Sequence, residues 1–592
     1  MTKTWKLFGV LLGAVIIWGS IYINNLFWAE KGGDYINIPF GPEVSITSAE
    51  FYERLKKGDE LPSKLVVIGS VDRKGRLKMR LPKDLTIEGD FTHVDSTILT
   101  MPTRLVVSGD LSFEDAKFTA LPDELKVGGN FRLKEYALTS IPVGWQLLGS
   151  ISLQKTSLEE LPDGMHVAGD LDLWRTNLRK LPSDLVVEGS LDASETNISE
   201  FPKSIRVGES IYLSETKITQ FESTSRRING DLFLHDTKLT SFPDDMVIKG
   251  SLSLSSISLL TYPKNLSVGK NLFLDADAQG RFPDCFDVGG QISLYNGSLK
   301  STCGVNAGLM LVQTDISDFD GEFKVPGFFD ITSDQLESLP EAFAVGGQLS
   351  IRSESLTVLP STLNVNGDLS LKLPNLKAMP ENLTVAGNVE LFSGTYRFGP
   401  NTIIQGNIRE LESNVILPDG ITIGGDLQLS YAKTETLPNN LTVKGKLDLS
   451  HSNISALSSG LTVFGDMDLS NTSVSDLPSE ITVLGDLNLN KTIIETLPED
   501  LVVNGELKLI HSRIRSFPNS ITVGSHIDLG FSDIKSLPDN LTVNGDLNIF
   551  STNIEAWPKN FTVKGDLDLR RSQLLQIPMP DDVVVEGNIY RK

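Results

Sequence analysis

A proline preceded by an apolar residue returns every twenty residues along most of this 592-residue chain. Leu61-Pro62, Leu81-Pro82, Met101-Pro102, Leu121-Pro122, Ile141-Pro142, Leu161-Pro162, Leu181-Pro182 and Phe201-Pro202 set the register. It resumes at Leu339-Pro340, Leu359-Pro360 and Met379-Pro380, then runs from Leu417-Pro418 to Ile577-Pro578. Counting degenerate copies there are 27 units, and proline holds the reference position in 23 of them. Glu222, Cys303, Asp320 and Ser458 stand there in the others. A short fixed period of this kind points away from an ordinary globular core. One unit cannot bury its apolar edge alone, so neighbours must stack.

A well-formed unit is Leu537-Pro-Asp-Asn-Leu-Thr-Val-Asn-Gly-Asp-Leu-Asn-Ile-Phe-Ser-Thr-Asn-Ile554. Apolar residues alternate at Leu541, Val543, Leu547 and Ile549, with Gly545 between the pairs. Period-two alternation with Val and Thr predicts β-strand, bent or bulged at the glycine. Ile554 and Trp557 are expected to face inward at the turn, and proline stops ladder hydrogen bonding at the corner. No unit carries a helical period. The expected fold is all-β, a parallel β-solenoid of about 27 coils of twenty residues. At about 4.8 Å per coil it reaches roughly 130 Å.

The phrase Leu171-Asp-Leu173-Trp-Arg-Thr176-Asn-Leu178-Arg-Lys-Leu181-Pro182 resembles bacterial leucine-rich repeats over about nine-tenths of the chain. That family normally places Asn where nine units here carry Thr and six carry Ser. A Thr ladder is expected to satisfy the turn's backbone groups as the Asn ladder does. The x-x-L-x-V-x-G-D stretch after Leu-Pro adds a strand, which favours a flatter, two-sheeted solenoid over an open horseshoe.

The first thirty residues differ from the rest. Residues 7–28 are 22 apolar or uncharged residues, long enough to cross a hydrocarbon core of about 30 Å as a helix. Lys3 and Lys6 precede them, whereas Lys31 is outnumbered by Glu30, Asp34, Glu43 and Glu50 on the far side. The positive-inside rule then predicts residues 1–6 in the cytoplasm, an uncleaved signal anchor, and a solenoid outside the cytoplasm. This fits a single-pass protein of a bacterial inner membrane with a periplasmic solenoid; a cleaved signal peptide is the competing reading. In the 29–60 linker, Thr47 with Glu50 and the stop at Gly58 predict a short helix covering the first coil's open edge. Repeats occupy 61–592, with irregular coils expected near 221–336 and 400–417.

Cys285 and Cys303 lie eighteen residues apart, on adjacent turns offset by two positions. A disulfide is feasible at that separation, two buried free thiols being the alternative. Aspartates recur after the glycine, and local turn bonding explains them better than a metal site. No catalytic residue, metal site or cofactor motif is identified, so an enzyme is not expected. A carbohydrate-active β-helix enzyme is the remotest reading. Acids outnumber bases 76 to 53, a net charge of −23, which argues against nucleic acid as a partner.

Two outward strand columns hold mostly Asp, Ser, Asn and Lys. In one stretch they hold Trp174, Tyr212, Phe233, His235, Phe273 and Tyr295. Exposed, these would form a surface suited to a protein or glycan of the cell envelope. The other reading has a loop, or the 300–336 segment, folding over them as a small second core. Phe392 and Phe550 are read as isolated. The leading expectation is a membrane-anchored, non-catalytic binding scaffold. The alternative is a structural protein that polymerises through solenoid ends, using the strand edge near Arg591 and Lys592.

Overall fold

Nearly every coil forms two short strands because it carries two runs of alternating apolar residues with a bend between them. The computed structural model describes residues 44–592 apart from 75–77, 95, 115, 119, 258, 278, 317, 318, 320 and 500. In one representative coil Thr542–Val543 is the first strand and Leu547–Asn548 the second. Leu541, Val543, Leu547, Ile549 and Ile554 are all buried. The second strands of successive coils join in one parallel sheet of 27 strands, from Val71–Lys74 to Ile589–Tyr590. Register is one coil per step: Leu487 pairs with Leu507, and Leu507 with Ile527. The sheet is open, because its first strand pairs only with Phe91–Val94 and its last only with Leu567–Asp568. The first strands build the opposite face in runs of six, three, four, eleven and three strands. The two-sheeted, all-parallel solenoid of about 27 turns is therefore observed, with almost no helix among the described residues.

Stacking explains the glycine. Gly485 N donates to Gly465 O at 3.1 Å, and a Cβ on Gly485 would stand 2.6 Å from the Gly465 carbonyl carbon. The residue is kept small by the coil beneath it, not by an unusual φ. The aspartates that follow also act between coils, which corrects the expectation of a purely local turn role. Asp90 Oδ1 accepts from Asp110 N at 2.9 Å, Asp466 Oδ1 from Asp486 N at 3.0 Å, and Asp546 Oδ1 from Asp566 N at 2.7 Å. Ser and Asn serve equally there, as Ser150 Oγ does for Asp170 N. The buried Ser/Thr column satisfies the turn from inside: Thr492 Oγ1 donates to Leu489 O at 2.8 Å and Ser532 Oγ to Leu529 O at 2.6 Å. This is the role that the resemblance to leucine-rich repeats implied for it.

Helix α1 spans Ser48–Lys57. Thr47 Oγ1 accepts from Glu50 N at 3.3 Å, and Gly58 ends the helix in the left-handed region at φ 73°. The preceding strand, Val44–Thr47, pairs with Lys64–Ile68, so α1 stands where the next coil places its long-sheet strand. It buries Phe51 and Leu55 against the first coil. The proposed membrane span at 7–28 lies outside the described residues. Among those described, no helix is long and apolar enough to cross a membrane.

The irregular coils keep their ladders by changing length. Tyr212 pairs with Phe233 across a 21-residue coil, and Ile292 with Leu309 across 17 residues. Near 400 the spacing predicts one coil of 18 residues, whereas the structure shares the deficit between two of 19: Val389 pairs with Ile408, and Ile408 with Leu427. Tyr396 fills the interior there. Its fully buried hydroxyl donates toward Leu371 O and Phe392 O and accepts from Leu373 N. Burial pushes its pKa up to about 12.

Candidate functional site

Alternation along a strand sends Leu232 and Leu234 inward and Phe233 outward, so the long sheet's outer face is where side chains are free to vary. In eight coils the first outward position carries an Asp or Asn whose side-chain oxygen accepts from the backbone N–H two residues on. Asp448 does so for Ser450 and Asn548 for Phe550. Tyr212, Phe233 and Phe273 replace that turn-forming residue in their coils. Tyr212 and Phe233 are paired neighbours whose rings stack at 5.4 Å and 9°. His235 meets Phe233 edge-on at 6.4 Å, and its Nδ1 lies 2.9 Å from Ser214 Oγ. Asp192 borders Tyr212 in the same column. Burial, more than its neighbours' charge, raises its carboxyl pKa above the usual range.

The six sequence-identified residues do not form one patch. Tyr212, Phe233 and His235 are contiguous, all half-buried. Phe273 lies two coils on, with buried Ser253 between it and Phe233. Tyr295 pairs with Asp275 in the second column. Trp174 belongs elsewhere: Nε1 donates to Glu195 Oε1 at 2.9 Å, and the Arg175 guanidinium sits 4.5 Å from its ring centroid. Bonding from Arg175 holds the Glu195 carboxyl below the usual range. Among the described residues of 300–336, no strand folds over the contiguous three. That segment's strands, Leu309–Val312, Phe323–Val325 and Phe329–Thr332, continue the stack.

Cys285 and Cys303 are joined in a disulfide with a Cα–Cα separation of 4.7 Å. The 17-residue step brings them closer than a twenty-residue frame does, since Phe286 N donates to Cys303 O. Beside Cys285 an apolar cavity of about 260 Å³ is lined by Leu254, Leu266, Leu274, Phe286 and Val288, with Tyr262 at its wall. The inward stack Phe201–Phe221–Phe242 stops there. The Tyr262 hydroxyl turns to Asp275 O and Arg281 O, both at 2.8 Å, and its pKa is raised by burial.

A second aromatic surface escaped the sequence reading. Among the described residues, nineteen non-glycine residues at the corners after long-sheet strands adopt positive φ. Near the C-terminal end they include Tyr431, stacked on His451 at 4.7 Å, and His511, stacked on Phe531 at 4.7 Å. Phe531 meets Phe550 at 5.0 Å, and the Arg570 and Arg571 guanidinium groups lie 5.6 and 5.5 Å from the Phe550 ring. Phe550 is thus not isolated. The signal lies in the twenty-residue column that immediately precedes the buried Ser/Thr, outside the strand columns.

Coils of about twenty residues, strands in parallel and a buried Ser/Thr turn column define the class: a leucine-rich-repeat-like parallel β-solenoid. No family profile and no curated protein matches the chain. Among solved structures, YopM from Yersinia enterocolitica WA-314 is similar at 15% identity, covering 93% of this chain and 97% of that chain, with a TM-score of 0.28.

Proposed function

We propose that this chain is a non-catalytic binding scaffold of the bacterial envelope, anchored in the inner membrane by residues 7–28 with its solenoid on the periplasmic side. A partner protein docks on the outer face of the long sheet at Tyr212, Phe233 and His235. The observation that carries this reading is the stacked Tyr212–Phe233 pair, set outward on a rigid sheet at a position where eight other coils carry a turn-forming Asp or Asn. Paired aromatics with a polar rim are the residue types that dominate binding energy in protein interfaces. The anchor reading rests on the 22-residue apolar run and the charge asymmetry around it.

Affinity capture from native membranes tests the surface. The Tyr212→Ala/Phe233→Ala double variant should lose a partner that wild type retains, while Phe550→Ala keeps it. Equal recovery by all three chains would reject this surface. Head-to-tail polymers require two open ends, and α1 covers one of them. The last coil does leave Val584 49% and Tyr590 46% exposed. Sedimentation should therefore give a discrete species; a ladder of assemblies would favour the polymer reading.

A further inference from the structure

The 275–312 corners create a recess. Asp275 pairs with Tyr295, and Arg281 bridges to Ser298. The chain thus spends six residues from Asp275 to Arg281 where the next coil spends three. Ala276 in this corner packs on Gly297 of the next, where an added Cβ would stand 2.5 Å from the Ala276 Cβ. Its backbone is fixed by buried Asp277, which accepts from Gln279 N and Arg281 N at 2.9 Å and from Arg281 Nη2 at 3.3 Å. Beside this corner lies a cleft of about 480 Å³ formed by three successive coils: Asn296 and Gly297, Gln313 and Asp315, Gln335 and Glu337. Asn296 Nδ2 is tied to Asp275 Oδ1 at 3.0 Å, and Gln313 Oε1 receives Asp334 N at 3.4 Å, so both amides are oriented.

Among the described residues the lining is three amides, two carboxylates and a glycine, with neither a basic nor a large apolar side chain. Amides donate and accept at once, and carboxylates accept from paired hydroxyls. That set matches a ligand dense in hydroxyl groups and uncharged. A phosphate or uronate would meet Asp315 and Glu337 with like charge, and a peptide would find no apolar pocket. Tyr295, half-buried on the sheet's outer side, immediately precedes Asn296 but does not itself line the cleft. We infer that this cleft is a binding site for neutral oligosaccharide. The site goes beyond the partner-protein surface and depends on the scaffold reading only for its biological setting.

The test is calorimetric titration of the full-length chain with maltotriose and tri-N-acetylchitotriose, with trigalacturonate as anionic control, all in EDTA. Gln335 and Glu337 are exposed, so Gln335→Ala/Glu337→Ala leaves the core intact. At least one neutral trisaccharide should bind. The double variant should weaken it about tenfold or more, the scale of one lost hydrogen bond to a charged group. No binding by either neutral sugar, tighter binding of trigalacturonate, or affinity unchanged in the variant would each overturn the inference. Sugar binding lost only in Tyr212→Ala/Phe233→Ala would also overturn it, moving glycan recognition to the aromatic surface. Partner capture unaffected by the cleft variant would leave the scaffold reading standing whatever the sugar result.

Discussion

Glu410 occupies an inward position that Leu391 fills in the coil before and Leu429 in the coil after. Its carboxylate accepts from Ser413 N, yet burial still raises its pKa. A raised folded-state pKa adds stability that is fully present below the ordinary carboxylate pKa and lost as pH rises through the folded value. The Glu410→Gln variant should therefore lose less stability than wild type between pH 4 and pH 8 in urea melts. Parallel pH dependence in the two chains would remove Glu410 from the account. The positive-φ corner makes another residue-scale demand. Lys491 stands at φ 57°, as Asn471 does at φ 58° one coil earlier. Lys491→Val places a β-branched residue in the left-handed region and should cost about 1–2 kcal/mol, read as local loss of amide protection.

At the scale of the element, the disulfide clips the one coil whose length departs most from the period. Cys285→Ser leaves Cys303 unbridged across an eighteen-residue separation. In the chain-entropy model the loss is about 3 kcal/mol. Hydrogen exchange should quicken at residues 281–315, with coils beyond 340 unchanged; uniform acceleration would mean that the array unfolds as one unit. The strands, the Ser/Thr turn column and the capped helix were all legible from residue type and spacing, because each depends on contacts repeated at one period. The recess at Asn296 was not. It joins corners of three coils whose lengths differ from the period, and only pairings such as Arg281 with Ser298 and Ser298 with Asp315 align them. Trp174 was misgrouped for a similar reason. Its column position matched the patch, but its ring was already engaged by Arg175 and Glu195.

Across the whole molecule, stacked coils hold side chains far apart in sequence at fixed spacing. Such a rod suits recognition by a pre-ordered surface, since little ordering entropy is lost on binding. A charge of −23 spread over the chain should repel anionic partners and leave the apolar Tyr212–Phe233 pair as the point of close approach. The measurement that tests the central claim most directly is site-specific photo-crosslinking in native membranes, with the probe at Phe233 and mass spectrometry of the adduct. The account predicts one discrete intermolecular adduct, which identifies the partner. Adducts confined to this chain's own segments, or none above a probe placed at Val502 on the opposite face, would contradict it.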